Sequence, residues 1–259
     1  SVAFIENGEL KYAISEERLN RVKNWWGNPI KSINFTLRET SNNLNNIDIF
    51  ATHGLSCIKN FIPDKSIFEK KINEVLQSSL DSKKKRTQIN FLKERFQHEA
   101  KARKRNLDNI NFLKEKYKRL DLHDHHEAHA ASAYFYSGWN KCYVLTIDGW
   151  GDDASSKLYK AINGKLTQIT TTSSIDSLGY FYGSITSLLG YKPHRHEGKI
   201  LGLAAFGDHK KAYSYISKMI SYDKLNKCFK GNFEKGLYLS KFDNPNIKFL
   251  IKKFSPEDI

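Results

Sequence analysis

Cysteine is scarce in this sequence: Cys57, Cys142 and Cys228 are the only three in 259 residues, and no two of them make a CxxC pair. An odd, scattered set supports neither a disulfide framework nor a cysteine zinc site, and a reducing, cytoplasmic setting is expected. No apolar run approaches the roughly 18 residues that a membrane span needs, and the start lacks a basic segment followed by an apolar one. A soluble protein without a membrane partner is therefore expected. Methionine is reduced to Met219, and the chain opens on Ser1-Val2-Ala3-Phe4-Ile5, an apolar strand without an initiator, so an incomplete front end is expected. Several catalytic signatures are also missing. A zincin HExxH starting at His126-Glu127 would need histidine where Ala130 stands, no Pro-Cys-x-x-Cys of a deaminase follows, and no glycine-lysine block has Walker spacing.

What is present suits a globular chain. Apolar residues make up 39% and aromatics 13%, enough to fill a core in one large domain or two smaller ones. The net charge of +14 raises the question of nucleic acid, so its distribution matters. Much of it sits between Lys83 and Arg119, where Ile89, Leu92 and Phe96 recur at helical spacing. This reads as the solvated face of a helical hairpin spanning 61–120, with no RNA- or DNA-binding motif beside it.

Along the chain, Val2–Ile5 and Leu10–Ile14 flank Asn7-Gly8, the strongest short-range hairpin signal. Asn28-Pro29 reads as a helix start, with Asn as cap and a helix to about Thr40. Ile47–Thr52 reads as a buried strand, and residues 65–120 carry helical periodicity. His125–Tyr136 suits a buried helix that Gly138 stops, and Cys142–Ile147 a strand that delivers Asp148 to a glycine turn. A second hairpin turns at Asn163-Gly164. Gly179–Leu189 and Ile200–Phe206 follow as helices, with a loop at Pro193–Gly198. The sum is mixed α/β with antiparallel edges.

Three clusters carry chemistry. His123-Asp124-His125-His126-Glu127-Ala128-His129 holds four histidines in seven residues. On a helix His125 and His129 share one face, so both imidazoles can reach one cation, and Asp148 is the candidate third ligand. Mixed imidazole and carboxylate ligation suits iron, manganese or zinc better than calcium. The second cluster is His194-Arg195-His196-Glu197-Gly198-Lys199, where a glycine and a lysine at a helix start suit phosphate or carboxylate. The third is Glu16-Glu17-Arg18 with Arg21 and Lys23, whose ordinary reading is a solvated charge cluster.

Taken in order, ENGELKYAISEERLNRVK, HHEAHAASAYFYSGW with TIDGWGD, and SLGYFYGSITSLLGYKPHRHEGKILGLAAFGD resemble the N-terminal domain of the NodU/CmcH/TobZ-type carbamoyltransferases. The resemblance implies an actin-like, ribonuclease-H-type fold related to the domain that transfers threonylcarbamoyl onto transfer RNA. It divides the chain into a partial carbamoyltransferase domain at 1–60 and 121–259, incomplete at both ends, and a basic helical insertion at 61–120. It further implies a YrdC-like domain downstream that makes carbamoyl-adenylate from carbamoyl phosphate and ATP, and transfer of the carbamoyl group here to a hydroxyl of a sugar-containing acceptor. By motif, His125, His129 and Asp148 match iron ligands, with a further aspartate expected downstream. Lys23 and the region of Gly179 match adenylate contacts, to which Glu197, Gly198 and Lys199 are added as the phosphate-facing loop.

Carbamoyl transfer to an alcohol builds negative charge on the carbamoyl oxygen, which a dication offsets as a Lewis acid. His126 and Glu127 are the candidate bases for the hydroxyl proton, on sequence position alone. Two rivals stay open. A sugar kinase or other ATPase of the actin-like class would use exchangeable magnesium held by carboxylates, and an RNA-binding module would use the basic section with salt-dependent affinity.

Overall fold

The computed structural model describes residues 1–55, 64–117, 119–232 and 252, so Cys57 lies outside the described residues. The chain divides into two compact units, one of 1–53 with 104–123 and one of 54–103 with 124–259. Mixed α/β architecture is present in both.

In the first unit β1 (Val2–Glu6) and β2 (Glu9–Ile14) form the expected antiparallel hairpin. Asn7 and Gly8 both take positive φ, 52° and 81°, as a two-residue turn matched to strand twist requires. α1 (Glu16–Asn20) and α2 (Ile30–Glu39) follow. Asn28 is not the cap of α2. Pro29 occupies that position without a side-chain bond, and the orphan N–H groups are served from a distance, by the buried carboxylate of Glu16, which accepts from Ser32 N at 2.7 Å and Lys31 N at 3.3 Å. Glu16 is thus a structural cap rather than part of a solvated cluster. The expected strand is shorter and less buried than the sequence suggests: β3 covers Phe50–His53, alternately half-buried and exposed. Residues 47–49, between the turn Leu44–Asn46, capped by the Asn43 side chain, and β3, are not in a strand. β3 pairs in parallel with β4 (Leu120–His123).

α3 (Lys65–Gln77) and the long α4 (Ser82–Lys116) supply the helical stretch, with no strand among its described residues until β4 begins at Leu120. Its lysines and arginines are mostly exposed. Its inner face, however, is part of a core and not an appendage. Phe68, Val75 and Leu92 cluster with Ile175 and Met219, and Lys71, 7% exposed, pairs with Asp176 at 3.0 Å. Most of the cations are exposed as expected, but Lys71 turns inward to a buried carboxylate.

The second unit is built on an antiparallel sheet in the order β5 (Lys141–Gly151), β6 (Ala154–Ile162), β7 (Lys165–Ser173). The β6–β7 hairpin turns at Asn163-Gly164 as expected, again with both φ positive. α5 (His125–Ser137) covers one sheet face: Ala130 and Tyr134 pack on Val144, Tyr159 and Ala161. Asp124 caps α5 by accepting from Glu127 N at 3.0 Å, and Gly138 ends it at φ 70°. α6 (Leu178–Leu188), α7 (Glu197–Ala204), α8 (His209–Ile216) and the hairpin β8 (Ile220–Asp223) with β9 (Cys228–Gly231) complete the unit. No helix of the described residues is long and apolar enough to cross a membrane.

Candidate metal centre

The stripe His126, Ala130, Tyr134 is the buried face of α5. Packing that stripe on the sheet turns His125 and His129, one turn apart, together toward the side on which β5 ends. β5 does not stop at Ile147. It runs on to Gly151, but between the pairs Ile147–Ser156 and Gly151–Ala154 residues 148–150 face Ser155 alone. This bulge takes Asp148 out of the ladder and re-aims its side chain.

His125 Nε2 lies 2.7 Å from Asp148 Oδ2 and 3.1 Å from His129 Nε2, and His129 Nε2 lies 3.8 Å from the same carboxylate oxygen. One ring N–H on His125 cannot serve both partners at once, so the three atoms are crowded around one point beyond what a single hydrogen bond requires. All lie within 4.8 Å of one another. Ligands about 2.0–2.2 Å from one ion are spaced roughly 3 Å apart, so the donor set fits a transition ion.

Electrostatics follow from the geometry. The hydrogen bond from His125 holds the Asp148 carboxyl at about 2 despite partial burial, with Gly149 N also donating to Oδ1 at 2.6 Å. The same bond raises His125 above its ordinary 6.5, against the opposing effect of burial.

Two glycines make the arrangement possible. A Cβ on Gly151 would collide with the His125 ring, and one on Gly179 would come within 2.7 Å of Asp148 O and Gly149 N. Gly179, expected as an adenylate contact, thus has a packing role: it lets the first turn of α6 close on the Asp148 backbone. Ser177, the cap of α6, fastens the same backbone by donating to Gly149 O at 2.8 Å while accepting from Tyr180 N at 3.0 Å. At the other end Asp152 Oδ2 accepts from His125 N at 2.7 Å. Gly151, Asp152 and Ser177 were not singled out from sequence, although the glycine-aspartate run after Asp148 was their visible signal.

The two candidate bases need correction. His126 is fully buried, with Nδ1 at 2.9 Å from Thr146 Oγ1 and Nε2 at 3.1 Å from Ala154 O. Burial lowers its pKa, so it is a neutral core histidine with both nitrogens engaged. Glu127 is exposed, but it lies two residues from both His125 and His129, on the other side of the helix. Neither stands with the triad.

The glycine-lysine block begins α7. His196 is its cap residue, the Glu197 carboxylate turns back to accept from His194 N at 2.6 Å, and Gly198 and Lys199 are exposed. Glu197 is thereby occupied within its own loop, whereas a Cβ on Gly198 would meet only open space. Lys23 is exposed in the first unit.

Comparison with known proteins identifies the family. A family model described as the carbamoyltransferase N-terminus matches residues 1–254. Nodulation protein NolNO of Sinorhizobium fredii is 28% identical over 208 residues, 80% of this chain and 28% of that protein. A Synechocystis protein of unassigned function is 24% identical over 251 residues, 96% of this chain and 39% of its own length. A Methanocaldococcus jannaschii protein, likewise unassigned, is 30% identical over 206 residues, 80% and 31% respectively. The chain therefore spans less than two-fifths of the length of these relatives. With a family match that reaches from its first residue to within five of its last, the chain belongs to the carbamoyltransferase N-terminus family.

Proposed function

We propose that this chain is the acceptor-side domain of an ATP-linked O-carbamoyltransferase. In this reading the domain has an actin-like, ribonuclease-H-type fold, and a YrdC-like domain of the same full-length protein makes carbamoyl-adenylate from carbamoyl phosphate and ATP. The carbamoyl group then passes at the triad to a hydroxyl of a sugar-containing small molecule. The observation that carries the reading is the convergence of His125, His129 and Asp148 in a chain whose family match is nearly complete.

His125, His129 and Asp148 would hold the ion, iron in this reading. When bound, it supplies a Lewis acid opposite the charge that develops on the carbamoyl oxygen. Asp148, ionised far below neutral pH, contributes one negative charge to the ligand set. Ser177 and Gly179 fix the Asp148 backbone, and Asp152 fixes that of His125, so the site is organised before substrate arrives. Lys199 supplies an exposed cation for the adenylate phosphate.

The test is His129→Ala in the full-length protein. Carbamoyl transfer should be abolished and formation of carbamoyl-adenylate retained, because the two reactions occupy separate sites. Unimpaired transfer in a variant shown to have lost its metal would overturn the reading. Bound transition metal, measured on the purified protein, also separates it from a magnesium-dependent kinase.

A further inference from the structure

The basic helical stretch has no part in the proposed chemistry, yet three of its cationic side chains are drawn inward. Lys71 meets Asp176, Arg95 meets Glu99 at 2.8 Å, and Arg103, 1% exposed, is paired with Asp153. The last two involve one face of α4, because Glu99 and Arg103 are four residues apart.

That face grips one turn. Asp152 and Asp153 join β5 to β6 as a two-residue turn with φ of 46° and 68°, a left-handed conformation that costs a residue with a Cβ roughly 1–2 kcal/mol unless its surroundings hold it. Arg103 holds the Asp153 carboxylate. Glu99, 2% exposed, accepts from Ser174 Oγ at 2.9 Å, and Ser174 N in turn donates to Asp153 O at 3.1 Å. The turn is therefore held at both its side chain and its carbonyl. On its far side the same turn controls the triad. Asp152 Oδ2 takes the backbone N–H of His125, and Gly151, the residue before it, leaves the space that the His125 ring occupies.

We propose that Glu99 and Arg103 are positioning residues that set the His125 ligand through the Asp152–Asp153 turn, so that the basic helix is a working part of the metal centre. The inference rests on the reading of the triad as a metal centre, and it goes further in assigning α4 its role. Neither residue touches the ion; each acts through the turn, as outer-shell partners of metal ligands do.

The experiment measures cobalt(II) affinity on the whole chain, together with the His125 ring NMR signals of the metal-free protein at one fixed pH. Arg103→Met strands a carboxylate and endangers folding, so it is paired with Arg103→Met/Asp153→Asn, which removes both charges. Glu99→Gln is the mild variant, and Val75→Ala, on the buried face of α3, is the control for general destabilisation. Expected are a roughly 10–100-fold loss of cobalt affinity and displaced His125 signals in the double variant, a smaller loss in Glu99→Gln, and neither change in Val75→Ala. Partial recovery in Arg103→Lys would support a held turn. Unchanged affinity with undisplaced His125 signals in the double variant would overturn the proposal. Should the wild-type chain bind no cobalt, the metal reading fails, and the His125 signals still decide whether α4 positions that ring.

Discussion

Gly151 faces the imidazole of His125 so closely that a methyl group at its Cα would occupy the space of the ring. The glycine is there to admit that ring and not to turn the chain, since its φ is not positive. Gly151→Ala must displace either the ring or β5. A loss of cobalt affinity of about 10–100-fold and of stability by about 1–3 kcal/mol is expected, measured by metal titration and urea unfolding. Gly149→Ala meets open space and is the matched control, with little effect on either measurement.

His126 is the residue whose fate distinguishes a core role from a catalytic one. His126→Ala removes a fully buried ring and leaves the Ala154 carbonyl without its donor, for an expected loss of about 2–4 kcal/mol. The fraction that folds should still bind cobalt, because both ring nitrogens of His126 face the core. A variant with native stability and metal content but no transfer activity would restore His126 as a base.

The first unit offers a stability test independent of the metal. Glu16 caps α2 across sixteen residues of sequence, through two backbone N–H groups. Glu16→Ala should destabilise by about 1–3 kcal/mol in urea unfolding, the range for a charged acceptor lost from a buried helix end. Glu9→Ala, on the exposed hairpin, should change stability by less than about 0.5 kcal/mol.

These residues also mark where sequence reasoning reaches and where it stops. The two Asn-Gly hairpins and the His-x-x-x-His face were legible because each is set by local geometry, a φ requirement or a helical turn. The direction of His126 was legible too, and was missed: Ala130 and Tyr134 follow it at i+4 and i+8 and define the packed stripe. The reach of Glu16 to Ser32 was not legible, because a cap supplied from another helix leaves no spacing pattern. Nor was the bulge at 148–150, which depends on β6 offering one residue against three. In the basic stretch, Lys71 and Arg103 look like any other cation in the run. Their partners, Asp176 and Asp153, lie 105 and 50 residues further along the chain.

The final prediction concerns pH, and its sign differs between metal-free and metal-loaded protein. Without metal, the hydrogen bond to Asp148 raises His125 above 6.5, while Asp148 stays ionised down to about 2. A raised folded-state pKa contributes stability that is fully present below the unfolded value of 6.5 and is lost as pH rises through the folded value. In chelator, the stability advantage of wild type over Asp148→Asn should therefore be larger at about pH 5.5 than at about pH 8.5. An ion, by contrast, needs both imidazoles unprotonated, so cobalt should stabilise the wild type more as pH rises over the same interval. Thermal unfolding with and without cobalt, across that range, reads both trends. An advantage over Asp148→Asn that grew with pH in chelator would show that the His125–Asp148 pair is not ionic in the metal-free protein, and cobalt stabilisation that grew as pH fell would remove the imidazoles from the ligand set.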